Sequence, residues 1–498
     1  MKYRIIAICT IVITIFLGVI FSNVDLKEKR YHQHLEAKVR PEDVVTTDKF
    51  ATHLPIIKIE TNDKIPEAYK YKKLNKDEKK EYYKNYVNKE DGIYEEIKNY
   101  DTVNATFEYI QNEECENRKN DVYKFKTNIK FRIRGDSSRK FIKKSYSIKF
   151  MNKNYTDNVD IGIDNMVSDS VWVLNGPCMD KTLVRNYICY NLASEIFNLH
   201  SPEVRFCELF INGRYEGLYL LIEEINYNKT GRINITKSDP SSKKTSFILN
   251  IHNISREENK NMKSFFFDTY RRESDFNNRV SIKYPSKSMT KEQKDYIEEK
   301  YYTIERTIAS KSLLDKDEGY SKYIDINSFV DYFIFNEFTM NLDALNKSTY
   351  LYSDAKNEKL KFAIWDYNNS FGNFSYNDYN NKFILNDRWW YKYILKDEYF
   401  TEKVINRYKN LRRTVLSDEY LEKYIDDTIE YLGPAIDRNY KRWPSIMNKN
   451  FIIEESKNNK NTYKSNVDYL KTKIRERTKF LDKNIEYLRY YSHRSKNK

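Results

Sequence analysis

The chain has 498 residues, of which 40% are hydrophobic, with 44 Tyr and 27 Phe, so global disorder is excluded and a large core is possible. Its 11 Gly and 9 Pro are few for this length and argue against a linker-rich string of small domains. The formal net charge of +14 favours acidic partners, but the charges are interspersed as on a solvated surface, and nucleic acid is not the expected partner.

At the N-terminus, Lys2 and Arg4 precede an apolar run from Ile5 to Phe21, at the short end for a membrane span. No small-residue cleavage site follows. The run therefore reads as an uncleaved signal anchor, residues 1–25, with the bulk of the chain extracytoplasmic. Residues 26–50 form a polar tether. The five cysteines, Cys9, Cys115, Cys178, Cys189 and Cys207, contain no C-x-x-C pair and suggest neither a zinc site nor a disulfide framework.

A strand-rich part is predicted over 51–225. Leu54–Thr61, 106–111 and 122–135 read as strands, and in SYSIKF (145–150) Tyr146, Ile148 and Phe150 share one face. Between the last two lies RGDSSRKFIKK, Arg134 to Lys144. Gly135 permits close backbone approach there, and Ser137 and Ser138 offer hydroxyls and amides, as in a turn that covers phosphate. The Arg-Gly-Asp triplet within it is read as a chance tripeptide. A strand over Val171–Leu174 leads to a helix predicted from Lys181 onward with Asp180 as its N-cap. Arg185 and Glu195 on that helix read first as solvated side chains. Residues 206–225 read as a hairpin about Asn212-Gly213.

Residues 226–325 read as a hinge and insertion containing short strands at 246–251 and 279–284. From Ile326, Phe329, Phe333, Ile334, Phe338 and Leu342 mark a buried helix that ends near Asp343. TYLYSD and KLKFAIWD then form a hairpin that ends at Asp366. From Trp389 to about Leu488 the pattern is helical, completing a segment over 326–498. No internal repeat is present.

Taken alone, Asp366 reads as an ordinary turn residue. In this chain it follows a strand-rich part, a buried helix and a second carboxylate, Asp343. That order is the layout of a kinase-like phosphotransferase, which needs a cation for nucleotide phosphates, a carboxylate for Mg²⁺ and a carboxylate near the nucleophile. The predicted fold is α+β, two-lobed and protein-kinase-like, with a strand-rich N-lobe, a helical C-lobe and an N-terminal membrane-anchor helix.

Six stretches between Leu54 and Pro444 carry a more specific signal: RGDSSRKFIKKSYSIKF, WVLNGPCMDKTLVRNYICYNLA, ELFINGRYEGLYLLIEEI, NEFTMNLDALNKSTYLY, WDYNNSFGN, and FTEKVINRYKNLRRTVLS through RNYKRWP. In that order they resemble the spore-coat protein H (CotH) family of atypical protein kinases. The resemblance implies ATP with Mg²⁺ or Mn²⁺, and transfer of phosphate to Ser or Thr of spore coat proteins, at the membrane or the spore surface. It gives Asp366 as a metal ligand with Asn346 as a further one, and Asp343 as the catalytic-loop carboxylate. Arg134, Gly135, Ser137 and Ser138 become the loop over the phosphates, and Lys149, or else Lys144, the nucleotide-contacting lysine. The chain departs from the family where Asn368 stands in place of a frequent Asp, and where Asp136 replaces the common Asn. A kinase-like scaffold for coat assembly without catalysis, or a membrane-anchored module that binds anionic polymer, are the alternatives.

Overall fold

The computed structural model describes residues 30–45, 49–67, 69–73, 75–76, 92–97, 101–135, 137–196, 199–227, 233–253, 261–264, 266, 278–286, 288–373, 381–447 and 460–494. The chain divides into two units, Met1–Tyr31 and His32–Lys498, and only residues 30 and 31 of the first are described. The anchor read at residues 5–21 therefore lies outside the described residues. Among the described residues no helix is long and apolar enough to cross a membrane.

Seven strands make a closed barrel: β1 (Ile56–Glu60), β2 (Val103–Ile110), β3 (Phe125–Arg134), β4 (Ser145–Met151), β5 (Val171–Asn175), β6 (Val204–Ile211) and β7 (Arg214–Glu223). Their spatial order is β6-β7-β5-β4-β3-β2-β1. The ring closes through the parallel pairing of β1 with β6, Ile56 opposite Glu208 and Ile59 opposite Ile211. The period-two pattern explains the closure. Ile57, Phe107, Ile129, Phe131, Ile148, Phe150, Trp172, Leu209 and Leu221 belong to one fully buried interior cluster. Burying each large side chain is worth about 1.5–3 kcal/mol against leaving it exposed. The Asn212-Gly213 turn joins β6 to β7 as predicted, with both residues at positive φ, 48° and 75°, as a tight two-residue hairpin loop requires.

The opposite face of β6 and β7, including Val204, Phe206, Leu218 and Leu220, joins the second and larger core. That core packs against helix α1 (Arg185–Ile196) and runs on through the rest of the chain. The helix starts later than its pattern suggests because Leu183 sits at φ 68° and cannot be helical. Asp180 still caps its start, accepting the Arg185 amide at 2.8 Å.

The segment between barrel and buried helix builds a five-stranded sheet: β8 (Phe247–Asn253), β9 (Asn261–Met262), β10 (Asn278–Tyr284), β11 (Thr349–Ser353) and β12 (Leu360–Ala363), in the order β9-β10-β8-β11-β12. It also supplies helix α2 (Lys291–Ala309), capped by a reciprocal pair between Thr290 and Gln293. Helix α3 (Ile326–Thr339) packs on β12, and helices α4 (Glu398–Arg412), α5 (Asp418–Leu432), α6 (Pro434–Arg442) and α7 (Tyr463–Asn484) complete the helical part. The α+β reading therefore holds. The expectation of a plain two-lobed kinase-like layout is corrected to a closed barrel, a separate five-stranded sheet and a helical part. The reason is that β1 and β6, far apart in sequence, pair directly and seal the strand-rich part on itself.

Candidate active site

Helix α3 is buried almost all round and carries the chain through the core to one end of the five-stranded sheet. Asp325 caps its start by accepting the Ser328 amide, and Met340 ends it at φ 52°. The loop that follows is pinned from several sides. Asn341 donates from Nδ2 to Asn336 Oδ1 at 2.9 Å and accepts the Asp343 amide on its own Oδ1 at 3.2 Å. The amides of Asn346 and Lys347 both donate to the Asp343 carbonyl, at 2.9 and 2.8 Å. From below, one nitrogen of Arg388 donates to the carbonyls of Leu342 and Ala344, at 2.9 and 3.3 Å.

The hairpin β11–β12 then brings the second carboxylate back beside this loop. Tyr350 pairs with Ala363, so the residues before β11 and after β12 emerge at the same end. The chain leaves β12 through Ile364, whose amide donates to the His200 carbonyl at 3.0 Å, and reaches Asp366 at φ 62°. The Asp366 carboxyl is pushed up to about 6, first by burial and next by the negative charge of Asp343, with Arg134 and a Ser348 hydrogen bond opposing. Asn369 donates from Nδ2 to Asp343 Oδ2 at 2.8 Å, and Asn368 donates from Nδ2 to Asp366 Oδ1 at 2.5 Å. The Oδ1 of Asn369 is buried and accepts no hydrogen bond. Two mutually repelling carboxylates beside an unsatisfied amide oxygen make an all-oxygen donor set that suits a hard divalent cation.

A basic group borders these carboxylates. The Arg134 guanidinium, at the end of β3, stands 5.4 Å from the Trp365 ring centroid. Lys283 of β10 pairs with Glu224, just past β7, at 2.9 Å, and its Nζ lies 5.6 Å from the Tyr350 ring centroid. Burial would raise the Glu224 carboxyl, but Lys283 and Arg134 outweigh it and hold it below the usual carboxylate range, with Arg132 adding to them. Lys283 is held above the usual lysine range, since Glu224 outweighs its burial.

Of the residues singled out from sequence, the structure brings Asp343, Asp366 and Arg134 together. Asn346 lies in the Asp343 loop, with its amide bonded to the Asp343 carbonyl at 2.9 Å. Gly135 follows Arg134 at φ 112°, where a Cβ would collide with Ser138 Oγ at 2.0 Å, so only glycine fits the turn. Ser137 and Ser138 open a short 3₁₀ turn, Ser137–Lys140, and Asp136 lies outside the described residues. Lys144 donates to the Arg139 carbonyl at 2.8 Å and so staples that turn. Lys149 lies on the outer face of the barrel, opposite Lys130 and Val171. Neither Arg185 nor Glu195 is the free side chain first read. Arg185 is fully buried, pairs with Asp180 at 2.5 Å and donates from Nε to the Ser370 carbonyl at 3.0 Å. Glu195 pairs with His32 at 2.6 Å. Sequence reasoning missed Lys283, Glu224 and Asn369. Asn369 sat in plain view in the WDYNNS run, whereas nothing local marks the other two.

The barrel, the sheet and the helical part thus bring two carboxylates and the Arg134 guanidinium to one place. The family profile described as CotH kinase protein matches residues 131–481, and the chain belongs to that family. The chain is similar to the inner spore coat protein H of Bacillus subtilis (strain 168), with 22% identity over 368 residues that cover 72% of this chain and 88% of the relative.

Proposed function

We propose that this chain is a metal-dependent protein kinase that transfers the γ-phosphate of ATP to Ser or Thr side chains of spore coat proteins, at the spore coat. The observation that carries the reading is the convergence of Asp343 and Asp366 at one end of the β11–β12 hairpin, with Arg134 at their side. Family membership supports the reaction class, and the likeness to an inner spore coat protein supports the setting.

Asp366 and the free oxygen of Asn369 would hold Mg²⁺ or Mn²⁺, with Asn346 within the same loop system as a further oxygen donor. The cation supplies charge neutralisation at the transferring phosphoryl group. Arg134 and Lys283 attract and orient the nucleotide phosphates, and Glu224 fixes Lys283 by their ion pair. Asp343 has Oδ2 engaged by Asn369, which leaves Oδ1 to orient a substrate hydroxyl and take its proton.

A second reading, a coat-assembly scaffold without transfer activity, is favoured by one contact. Asn368 occupies Asp366 Oδ1 with its own amide hydrogen, where the cation would otherwise find an oxygen lone pair. The two readings separate on labelled ATP. The kinase transfers label to itself or to coat proteins with Mg²⁺ or Mn²⁺, and loses transfer in Asp366→Ala and Asp343→Ala. A folded chain that transfers no label with either metal favours the scaffold.

A further inference from the structure

One face of helix α1 grips the turn that follows β12 at three points. The Asp366 amide donates to Tyr190 Oη at 3.0 Å, the Tyr367 amide donates to Asn186 Oδ1 at 2.7 Å, and Arg185 Nε donates to the Ser370 carbonyl at 3.0 Å. All three side chains are buried, with 1%, 5% and 1% relative exposure for Tyr190, Asn186 and Arg185, so water does not compete for these bonds. The Tyr190 ring also stacks on Trp365, with centroids 6.1 Å apart.

These contacts matter because of the backbone they hold. Asp366 sits at φ 62°, a left-handed conformation that costs an L-residue about 1–2 kcal/mol. The two amides that flank the strained residue are the ones Tyr190 and Asn186 accept. Their spacing, i and i+4, puts both acceptors on one helix face.

We infer that Tyr190 and Asn186 are positioning residues: by accepting the Asp366 and Tyr367 amides they fix the Asp366 carboxylate in the direction from which it binds a divalent cation. The inference rests on the reading of Asp366 as a metal ligand. Neither side chain is assigned as a ligand of the cation or the nucleotide. Each acts through the backbone of the turn, as groups outside a metal's own ligands commonly do, with effects of about 10–100-fold on affinity or activity.

The test is Mn²⁺ titration of the full chain, followed by the paramagnetic resonance of the free ion, in wild type, Tyr190→Phe, Asn186→Leu and Asn186→Asp. Melting temperature is recorded for each. Tyr190→Phe removes only the accepting oxygen, and Asn186→Asp keeps an acceptor at the same position. The inference expects Tyr190→Phe and Asn186→Leu to weaken Mn²⁺ binding about tenfold at a temperature where both are fully folded, with Asn186→Asp restoring most of the loss. Wild-type binding with unchanged affinity in Tyr190→Phe and Asn186→Leu overturns the inference and leaves the metal reading standing. No Mn²⁺ binding by wild type overturns the metal reading and this inference together. A loss in Asn186→Leu that Asn186→Asp does not recover assigns that residue a packing role and overturns its part of the inference.

Discussion

Asn369 donates to Asp343 across 2.8 Å, so the two loops that carry the site's carboxylates are tied to each other by a side chain. The same residue leaves its Oδ1 buried and unsatisfied. In the proposed site Asn369 has two roles: its nitrogen orients Asp343 and its oxygen would serve the cation. Asn369→Ala removes both, and we expect transfer activity to fall about 100-fold with Mn²⁺ affinity reduced as well. Asn369→Asp keeps the oxygen but loses the donor and adds a third negative charge. It should bind Mn²⁺ at least as tightly as wild type while kcat still falls. Equal kcat in Asn369→Asp and wild type would show that the bond to Asp343 does not matter.

Arg185 links the start of helix α1 to the carboxylate turn while its charge is neutralised by Asp180 in a dry site. Replacing one partner of such a pair strands the other charge, at a cost of about 3–5 kcal/mol. Arg185→Met should therefore lower the unfolding free energy by about that amount in chemical denaturation. Arg185→Lys keeps the charge without the guanidinium fork and should destabilise less. A destabilisation below 1 kcal/mol in Arg185→Met would contradict the assigned burial.

Two buried histidines make stability pH-dependent. His34 is pushed down to about 3, by burial first and then by His32, Arg40 and Lys423, and its Nδ1 bonds Tyr187 Oη at 2.9 Å. His53 is pushed down to about 4, chiefly by burial. Both stay neutral in the folded chain while the unfolded chain takes up protons near pH 6.5. Their contribution is therefore complete above about pH 6.5 and is lost as pH falls toward 4 and 3. Between pH 7 and pH 5 each should cost about 2 kcal/mol of stability. Urea unfolding at the two pH values should show a smaller difference in His34→Gln, His53→Gln and, most clearly, the double variant. Identical slopes in wild type and double variant would show that neither histidine is held neutral.

Much of this site was legible in the sequence because its key residues follow local rules. The Asn212-Gly213 hairpin and the β4 face of Tyr146, Ile148 and Phe150 appear where their patterns put them, whereas α3 stops at Thr339, short of the predicted end near Asp343, because Met340 turns left-handed. Closure of the barrel was not legible, since no local pattern says that Ile56 will lie beside Glu208. Helix α2 was hidden inside a charged stretch, although Thr290 and Gln293 spell a capping box that marks its start. Glu195 looked like a solvated helix residue because its partner, His32, comes from a distant segment. Lys283 was passed over for the same reason, since its importance comes from Glu224 and Arg134, each on a different strand neighbourhood.

The central claim is that Asp343 and Asp366 form one metal-dependent transfer site, and it is tested most directly by following label from the γ-phosphate of ATP in wild type, Asp343→Ala and Asp366→Ala, each with Mg²⁺, Mn²⁺ and chelator. The account predicts transfer to Ser or Thr in wild type that stops with chelator and falls at least about 1,000-fold in both variants. Transfer that persists in both folded variants, or that ignores the chelator, would contradict it.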